Sequence, residues 1–417
     1  MNNLINLNNE LDNLIIYRNL LEDPIILSFR EYISTNSIKA KNDFCYQLIT
    51  YGESKGLCGN LWQSHIITIL INDENPFSLL AEKDDSQITF EKSSLAKLLK
   101  NELSIIKSIY NLDFSFLAMS QEDQFQIIQN YIPSSSISNN SKDNTLSEIF
   151  KEMPIENLIN ALYRYYNTNG CGIFSRYNAF KYDNKKGLIG IDSKDTVRFS
   201  DLVGYKIQQK TLIDNTEAFI KGHPANNVLL FGDKGTGKSS CIKALLNEYS
   251  STKLRIIEIS KEQLKDFSNI VSKIMKRAYK FIIFMDDLSF EEFEVEYKYM
   301  KSILEGSIEV KPSNVLVYAT SNRRHLIRET WKEREESISV SEAMEEKLSL
   351  VDRFGITITF SAPDKQEYLD IIFNLAEKHN IQLSKEDLTR EALRWEMKYN
   401  GRSGRTATQF INHLLGR

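Results

Sequence analysis

Residues 232–239 combine small and cationic side chains at a spacing suited to phosphate binding. They read Gly232, Asp233, Lys234, Gly235, Thr236, Gly237, Lys238 and Ser239, which fits the pattern GxxxxGK[ST]. Glycine permits the positive φ angles and the close backbone approach that let several N–H groups surround one anion. Lys238 would reach the β- and γ-phosphates, and the Ser239 hydroxyl would join a magnesium shell. The pattern predicts a nucleotide-binding P-loop.

The sequence around this loop distinguishes a P-loop from a glycine-rich turn that fits the pattern by chance. The apolar run NVLLFG precedes the loop, and SSCIKALLNEY, which includes Ser240, follows it with helical spacing. A strand before the loop and a helix after it would direct the partial positive charge of the helix N-terminus at the same anion. We therefore expect the loop and Ser240 to bind the phosphates of ATP.

A second candidate is the acid pair that ends the apolar run FIIFMDD, Asp286 and Asp287. In parallel sheets, ligands bind at the carboxyl ends of the strands. Asp286 is the candidate to orient Mg²⁺, through water, and Asp287 the candidate to polarise an attacking water. The alternative is that two acids simply mark the exit of a strand from its sheet. The P-loop upstream favours the functional interpretation.

The elements that must position these residues change along the chain. Residues 1–190 show mostly helical periodicity. In 191–363, runs rich in β-branched residues alternate with helical patterns, and 364–417 read as three helices. This alternation is typical of an α/β fold with a parallel sheet, here of five strands, that is flanked by helices. We predict a helical N-terminal region, a P-loop α/β domain and a small helical C-terminal domain.

Composition restricts the classes of function. The 417 residues carry a formal net charge of −4, which argues against a chain dominated by polyanion binding. The N-terminal sequence lacks the features of a secretory signal, and no apolar run is long enough for a membrane span. The four cysteines form no CxxC pair and no cluster with zinc spacing. The expectation is a cytoplasmic protein without a structural metal.

Together these segments resemble an AAA+ ATPase. The stretches VLLFGDKGTGKSS, FIIFMDDLSFE, NVLVYATSNRRHL, EKLSLVDRFG and SGRTATQF resemble one bacterial group of these ATPases, known chiefly as a domain of unknown function. The specific matches cover about 197–417, and weaker similarity extends into the N-terminal half. The resemblance implies ATP and Mg²⁺ as cofactors, and it identifies residues 364–417 as a lid.

The resemblance also assigns individual roles. The backbone near Val203 and Gly204 is expected to line the adenine pocket. Asn322 stands where a sensor-1 residue belongs, between Asp287 and the γ-phosphate, and a polar turn cap is the alternative. An amide suits that place because it can hold a water without titrating.

Two arginines complete the implied site. Arg353 resembles the arginine finger that one subunit inserts into the ATP site of its neighbour, which implies a homo-oligomer. An ordinary salt bridge with Asp352 or with the acidic stretch 329–346 is the alternative. Arg405 resembles the lid arginine called sensor 2, and Arg402 is a nearby competitor for that role.

Two departures from the family pattern affect the expected activity. Many AAA+ motors carry Asp-Glu where this chain has Asp286-Asp287, and the shorter side chain predicts slow hydrolysis because it sets the carboxylate back. The segment after the second strand, SKEQLKDFSNIVSKIMKRAYK, contains Phe267 but lacks the aromatic-apolar-glycine loop of peptide-threading machines. Threading of a substrate through a central pore is therefore disfavoured.

The favoured hypothesis is an oligomeric ATP-driven switch that remodels or loads an unknown protein client, recruited by the N-terminal region. One alternative is a nucleic-acid-associated initiator or helicase loader. It is suggested by the acid pair, by the missing pore loop and by basic spots at 322–325 and 272–280, and the tyrosines and arginines of 163–177 could stack bases. Those aromatics are more readily explained by packing against the ATPase core than by base stacking. The other alternative is a nucleotide-gated scaffold that rarely turns ATP over.

Overall fold

A computed structural model describes most of the chain. The described residues are 2–83, 90, 93–114, 123–134, 150, 153–192, 195–290, 296–305, 312–322, 350–399 and 401–416. The acidic stretch 329–346 and residues 323–325 of the basic spot lie outside them. The chain divides into two compact units, Met1–Arg176 and Tyr177–Arg417.

Unit 1 is helical. Its α-helices are α1 Asn2–Leu11, α2 Pro24–Thr35, α3 Ile38–Lys55, α4 Leu61–Asn72, α5 Pro76–Lys83, α6 Ser94–Tyr110, α7 Gln124–Gln129, α8 Ile155–Asn169 and α9 Ile173–Arg176, with a 3₁₀ turn at Arg18–Glu22. Its core contains a cluster of aromatic rings, in which Phe29, Phe44, Trp62 and Phe114 pack against one another with centroids 4.6 to 6.0 Å apart. The mostly helical N-terminal region predicted from the sequence is confirmed.

Two tyrosines of the segment 163–177 contribute to this same core. Tyr163 and Tyr166 of α8 are buried, and the Tyr166 hydroxyl donates a hydrogen bond to the Leu70 carbonyl. Both belong to the apolar cluster of unit 1. The packing interpretation of Tyr163 and Tyr166 is therefore supported, and the apolar cluster that they join is that of unit 1.

Unit 2 is built on a sheet of seven strands. They are β1 Ala179–Asp183, β2 Gly187–Gly190, β3 Val228–Gly232, β4 Leu254–Glu258, β5 Lys280–Met285, β6 Val315–Ser321 and β7 Ile356–Phe360. Their order is β2-β1-β4-β5-β6-β3-β7, and every neighbouring pair is parallel except β1–β2. The five predicted parallel strands form the contiguous block β4-β5-β6-β3-β7, which confirms the α/β fold.

The hairpin β1–β2 extends this block by two strands. Ala179 of β1 pairs in parallel with Ile256 of β4. The boundary that the sequence predicts after residue 190 therefore falls inside unit 2, because the chain has already joined the sheet at residue 179. Only two of the five residues in β1 are buried, so the strand lacks the continuous apolar character that marks the central strands.

Helices flank the sheet and complete unit 2. They are α10 Lys206–Ile220, α11 Lys238–Glu248, α12 Phe267–Ile274, α13 Glu296–Glu305, α14 Lys365–Lys378, α15 Lys385–Lys398 and α16 Gly404–Leu415, with 3₁₀ turns at Phe199–Asp201 and Lys261–Asp266. The last three form the lid, with an apolar core of their own. Each lid helix begins at a side-chain cap, namely Asp364, Ser384 and Ser403.

Two further properties concern the whole chain. All four cysteines are free thiols, and of these only Cys58 is exposed. Within the described residues, no helix has the length and apolar character needed to cross a bilayer.

A buried polar network joins α10 to the centre of the sheet. The Tyr318 hydroxyl on β6 accepts a hydrogen bond from Asn215 Nδ2 at 2.9 Å and lies 2.9 Å from Thr216 Oγ1. Tyr318 is fully buried. Since buried polar groups depend on their partners, this network should contribute to the stability of unit 2.

We predict that Tyr318→Phe lowers the free energy of unfolding by about 1–2 kcal/mol, because Asn215 and Thr216 each lose a partner without access to water. Urea denaturation measures the change. The matched control is Tyr299→Phe, since Tyr299 lies exposed on α13 and should tolerate loss of its hydroxyl. Equal stability of the two variants would contradict this account of the network.

Candidate nucleotide-binding site

Three neighbouring strands end at the same edge of the sheet and bring the predicted site residues together. The P-loop follows β3, the acid pair follows β5, and Asn322 follows β6. The strand order places β6 between β5 and β3. The convergence therefore comes from parallel pairing, which aligns the carboxyl ends of the strands.

The P-loop backbone has the conformation that its glycines predict. The φ angles of Gly232, Gly235 and Gly237 are +137°, +76° and +93°. A Cβ on Gly232 would lie 2.0 Å from the carbonyl oxygen of Phe360. Helix α11 starts after Gly237 without a side-chain cap, so its first N–H groups point toward the loop and can bind an anion.

Asp233 stabilises the loop and does not line the cavity beside it. Its N–H donates to the Phe360 carbonyl at 2.9 Å, and its carboxylate accepts from the Ala362 N–H at 2.6 Å. These bonds attach the loop to the chain that leaves β7. The structure therefore places this predicted nucleotide ligand in a supporting position.

Lys238 lies at the centre of the site with only 6% of its surface exposed. Its Nζ donates to the carbonyls of Gly232 at 2.9 Å and Asp233 at 2.7 Å, and to Asn322 Oδ1 at 3.0 Å. Burial lowers the pKa of the ammonium, and the nearby carboxylates of Asp233, Asp287 and Asp286 oppose that shift. An anionic ligand would add further compensation to this partly desolvated cation.

The acid pair is held by hydroxyl and amide groups. Ser239 Oγ and Thr320 Oγ1 both donate to Asp286 Oδ1. Asn322 Nδ2 donates to Asp287 Oδ1. Asp287 has a φ angle of +50°, which is uncommon for a residue with a side chain.

The donor set beside the loop suits Mg²⁺. The Ser239 hydroxyl and the Asp286 carboxylate are hard oxygen ligands, and they lie close enough to hydrogen bond. In the described part of the chain, no group of three or more His, Cys, Asp or Glu side chains could hold a metal by itself. Magnesium bound at this site would take its remaining ligands from phosphate and water, as is usual for this ion.

A cavity of about 550 Å³ opens between the loop and the lid. Its described lining contains Val203, Lys234, Gly235, Thr236, Gly237, Lys238, Ser239, Ser240, Asp286, Asp287, Asn322 and Arg405 of the predicted residues. Gly204 is outside the lining and has a φ angle of +82°. Val203 packs against the core of the lid helices.

The three candidate arginines differ in their position relative to the cavity. Arg405 lines the cavity, and its N–H donates to the Gly235 carbonyl at 3.2 Å. Arg402 instead donates to Glu396 within the lid at 2.7 Å, so Arg405 is the better sensor-2 candidate. Arg353 is half-buried and is not among the described residues that line this cavity.

The cavity also includes residues that sequence reasoning missed. They are Asp201, Leu202, Tyr205, Gln209, Cys241, Lys243, Thr320, Ile371, Leu375, Gly404 and Thr408. Helical spacing of Ile371 and Leu375 in α14 could have indicated a shared face. Thr320 lies on β6, two residues before Asn322, which follows the strand. In extended chain, residues two apart point to the same side.

The five-stranded parallel block, the P-loop, the acid pair and the helical lid define an AAA+ P-loop protein. Residues 175–417 match the family described as "Protein of unknown function (DUF815)". The chain belongs to this family.

The chain is also similar to two curated proteins over a short stretch. Over 120 residues it is 27% identical to the proteasome-activating nucleotidase of Methanocaldococcus jannaschii, and over 120 residues 28% identical to the 26S proteasome regulatory subunit 6B homolog of Dictyostelium discoideum. Each match covers 25% of this chain, and the chain spans only 28% and 30% of those two relatives.

Solved structures show a remote likeness. The Thermotoga maritima RuvB Holliday junction branch migration motor has a TM-score of 0.33 and 16% identity, over 52% of this chain and 72% of that one. The FIGL-1 AAA domain in complex with ADP has a TM-score of 0.36 and 18% identity, over 54% and 74%. Because both scores are low, the fold assignment rests on the strand order and the loop geometry.

We predict that Gly235→Ala separates the lid from the P-loop in the ligand-free protein. Its Cβ would lie 2.9 Å from Ser403 Oγ and 3.1 Å from Arg405 Cβ. Hydrogen exchange at residues 403–407 should become faster. Gly237→Ala is the matched control, because that glycine also has a positive φ but has no atom within 4 Å of the added Cβ. If hydrogen exchange became equally faster in both variants, backbone strain alone would explain the effect.

Proposed function

We propose that this protein binds ATP with Mg²⁺, hydrolyses it slowly, and acts as an oligomeric conformational switch that remodels or loads a protein partner. The observation that carries this proposal is the meeting of the P-loop, the acid pair, Asn322 and the lid residue Arg405 around one cavity. The polar, cationic end of the cavity suits a triphosphate. The apolar end, beside Leu202, Val203 and Leu375, suits a base.

Each side chain has a role that its contacts support. Lys238 neutralises the β- and γ-phosphates, and exchange of its present carbonyl partners for phosphate oxygens would accompany binding. Ser239 and Asp286 would hold Mg²⁺, and the bound ion would neutralise part of the phosphate charge. Asp287 accepts a proton from the attacking water, and Asn322 orients that carboxylate.

Slow turnover follows from the length of the Asp287 side chain. An aspartate carboxylate stands one C–C bond closer to the backbone than that of glutamate, and small misplacements are costly in catalysis. The left-handed backbone of Asp287 and its bond to Asn322 hold the carboxylate in this position.

We predict that Asp287→Asn lowers kcat for ATP hydrolysis by about 100-fold or more and leaves the Kd for ATP within about threefold, because general-base catalysis contributes roughly 10²–10⁴ in rate. Phosphate release and nucleotide titration measure the two quantities. Asp214→Asn is the control, since Asp214 is exposed on α10 and outside the cavity lining. If Asp287→Asn and the wild type were equally inert with a partner present, the scaffold alternative would replace the enzyme proposal.

The position of Arg353 supports an oligomer. Parallel pairing of β7 with β3 matches Ile356 to Val228 and Phe360 to Gly232. Arg353 precedes β7, so it lies beyond the amino end of the strand, whereas the P-loop follows the carboxyl end of β3. Five residues of strand separate the two edges by about 16 Å. Arg353 is thus better placed to reach the ATP site of a neighbouring subunit than its own.

We predict that Arg353→Ala abolishes hydrolysis while ATP binding persists, and that mixing this variant with Lys238→Ala restores part of the activity. In mixed oligomers, an intact nucleotide site of the first variant would receive Arg353 from the second. Steady-state hydrolysis of the mixture, compared with each variant alone, measures the rescue. Arg394→Ala, an exposed lid substitution, should leave hydrolysis unchanged. A mixture no more active than its components would argue against a finger acting between subunits.

The observations favour a protein client over nucleic acid. In the basic spot 272–280, Arg277 is only 9% exposed and its guanidinium lies 5.9 Å from the Tyr279 ring centroid. Tyr163 and Tyr166, the candidate stacking residues, are buried. By elimination, we assign recruitment of the client to the N-terminal region, residues 1–190.

A further inference from the structure

Thr320 connects the two acids through a set of hydrogen bonds that the P-loop pattern does not include. It lies on β6 with 1% of its surface exposed. Its hydroxyl donates to Asp286 Oδ1 and accepts from the Asp287 N–H at 2.9 Å. Its carbonyl accepts from the Leu288 N–H at 2.7 Å. One buried residue therefore contacts three consecutive residues at the end of β5.

The chemistry of a hydroxyl explains why threonine suits this position. A hydroxyl has one proton to donate and lone pairs that accept. Here the proton goes to the carboxylate of Asp286, and a lone pair receives the N–H of Asp287. A valine would fill the same volume but could make neither bond.

The backbone at Asp287 needs such a partner. Its φ of +50° is a left-handed conformation that is seldom adopted by residues with a side chain, and surrounding contacts must stabilise it. The bonds from Thr320 to the residues on either side and to Asp287 itself supply that stabilisation. They also fix the direction in which Asp286 presents its carboxylate.

Thr320 and Asn322, at the end of β6, bond to different groups of the site. Asn322 bonds to the side chains of Asp287 and Lys238. Thr320 bonds to the side chain of Asp286 and to the backbone of Asp287. Asn322 thus contacts the groups that would act on the γ-phosphate and the attacking water. Thr320 contacts the carboxylate next to Ser239.

We propose that Thr320 is a positioning residue that orients the Asp286 carboxylate for magnesium. The inference rests on the proposed function, since it concerns the same site. Thr320 acts through Asp286, so its loss should weaken the contribution of Mg²⁺ to nucleotide binding and leave metal-free nucleotide binding intact.

The experiment compares the Kd for a non-hydrolysable ATP analogue in Mg²⁺ and in EDTA. In Thr320→Val, the ratio of the two constants should fall by about tenfold, the size expected for loss of one hydrogen bond to a charged group, while the EDTA value changes by less than about twofold. Thr320→Ser keeps the hydroxyl and should retain the wild-type ratio.

Thr216→Val is the matched control. Thr216 is also fully buried in unit 2, and its hydroxyl bonds to the Leu212 carbonyl and Tyr318, away from the cavity. It should lose stability but keep the magnesium effect. If Thr320→Val does not fold, Thr320→Ala takes its place because it adds no bulk.

The outcomes separate the inference from the function beneath it. The role of Thr320 alone would be overturned if Thr320→Val kept the wild-type ratio of the two Kd values. It would also be overturned if Thr216→Val or Thr320→Ser lowered that ratio as much as Thr320→Val does. If the wild type bound the analogue equally well in Mg²⁺ and in EDTA, Asp286 would not be a magnesium ligand. The inference about Thr320 would then also be refuted. A wild type that bound no nucleotide would refute the proposed function itself.

Discussion

The hydrogen bonds of one buried ammonium connect the three strand ends on which the site depends. Lys238 bonds to two carbonyls at the end of β3 and to Asn322 at the end of β6, and Asn322 in turn bonds to Asp287 at the end of β5. A desolvated cation requires such partners, since an unpaired charge in that position would be very costly. The same requirement gives an incoming triphosphate a preformed set of groups to engage.

The lid is attached to this centre by direct contact. Arg405 donates its N–H to the Gly235 carbonyl, and Asp201, before α10, forms an ion pair with Lys378 of α14. Displacement of the P-loop by a ligand must therefore alter contacts on the lid side of the cavity. The conformational switch proposed above requires such contacts between the ligand site and the lid, because a ligand shifts an equilibrium only through contacts that differ between its states.

Contiguous features were predictable, and features that depend on distant segments were not. The P-loop could be read from eight adjacent residues because their own backbone makes the anion site. The strand β1 was missed because it lacks a continuous apolar run. For Tyr163 and Tyr166 the sequence predicted burial, and only the structure identified the apolar cluster of unit 1 that they join. Helical spacing indicates that a residue is buried, but not which surface covers it.

Local periodicity and loop chemistry were enough to predict the phosphate loop, the acids at the end of β5, the five parallel strands and the lid helices. The folded chain was needed to see that Asp233 supports the loop from outside the cavity, that Arg405 and not Arg402 lines the cavity, and that Thr320 bonds to both acids. These roles depend on which strands become neighbours and where the lid folds back. Hydrogen bonds act over about 3 Å, so a partner far away in the chain is identified only after folding has brought it within that distance.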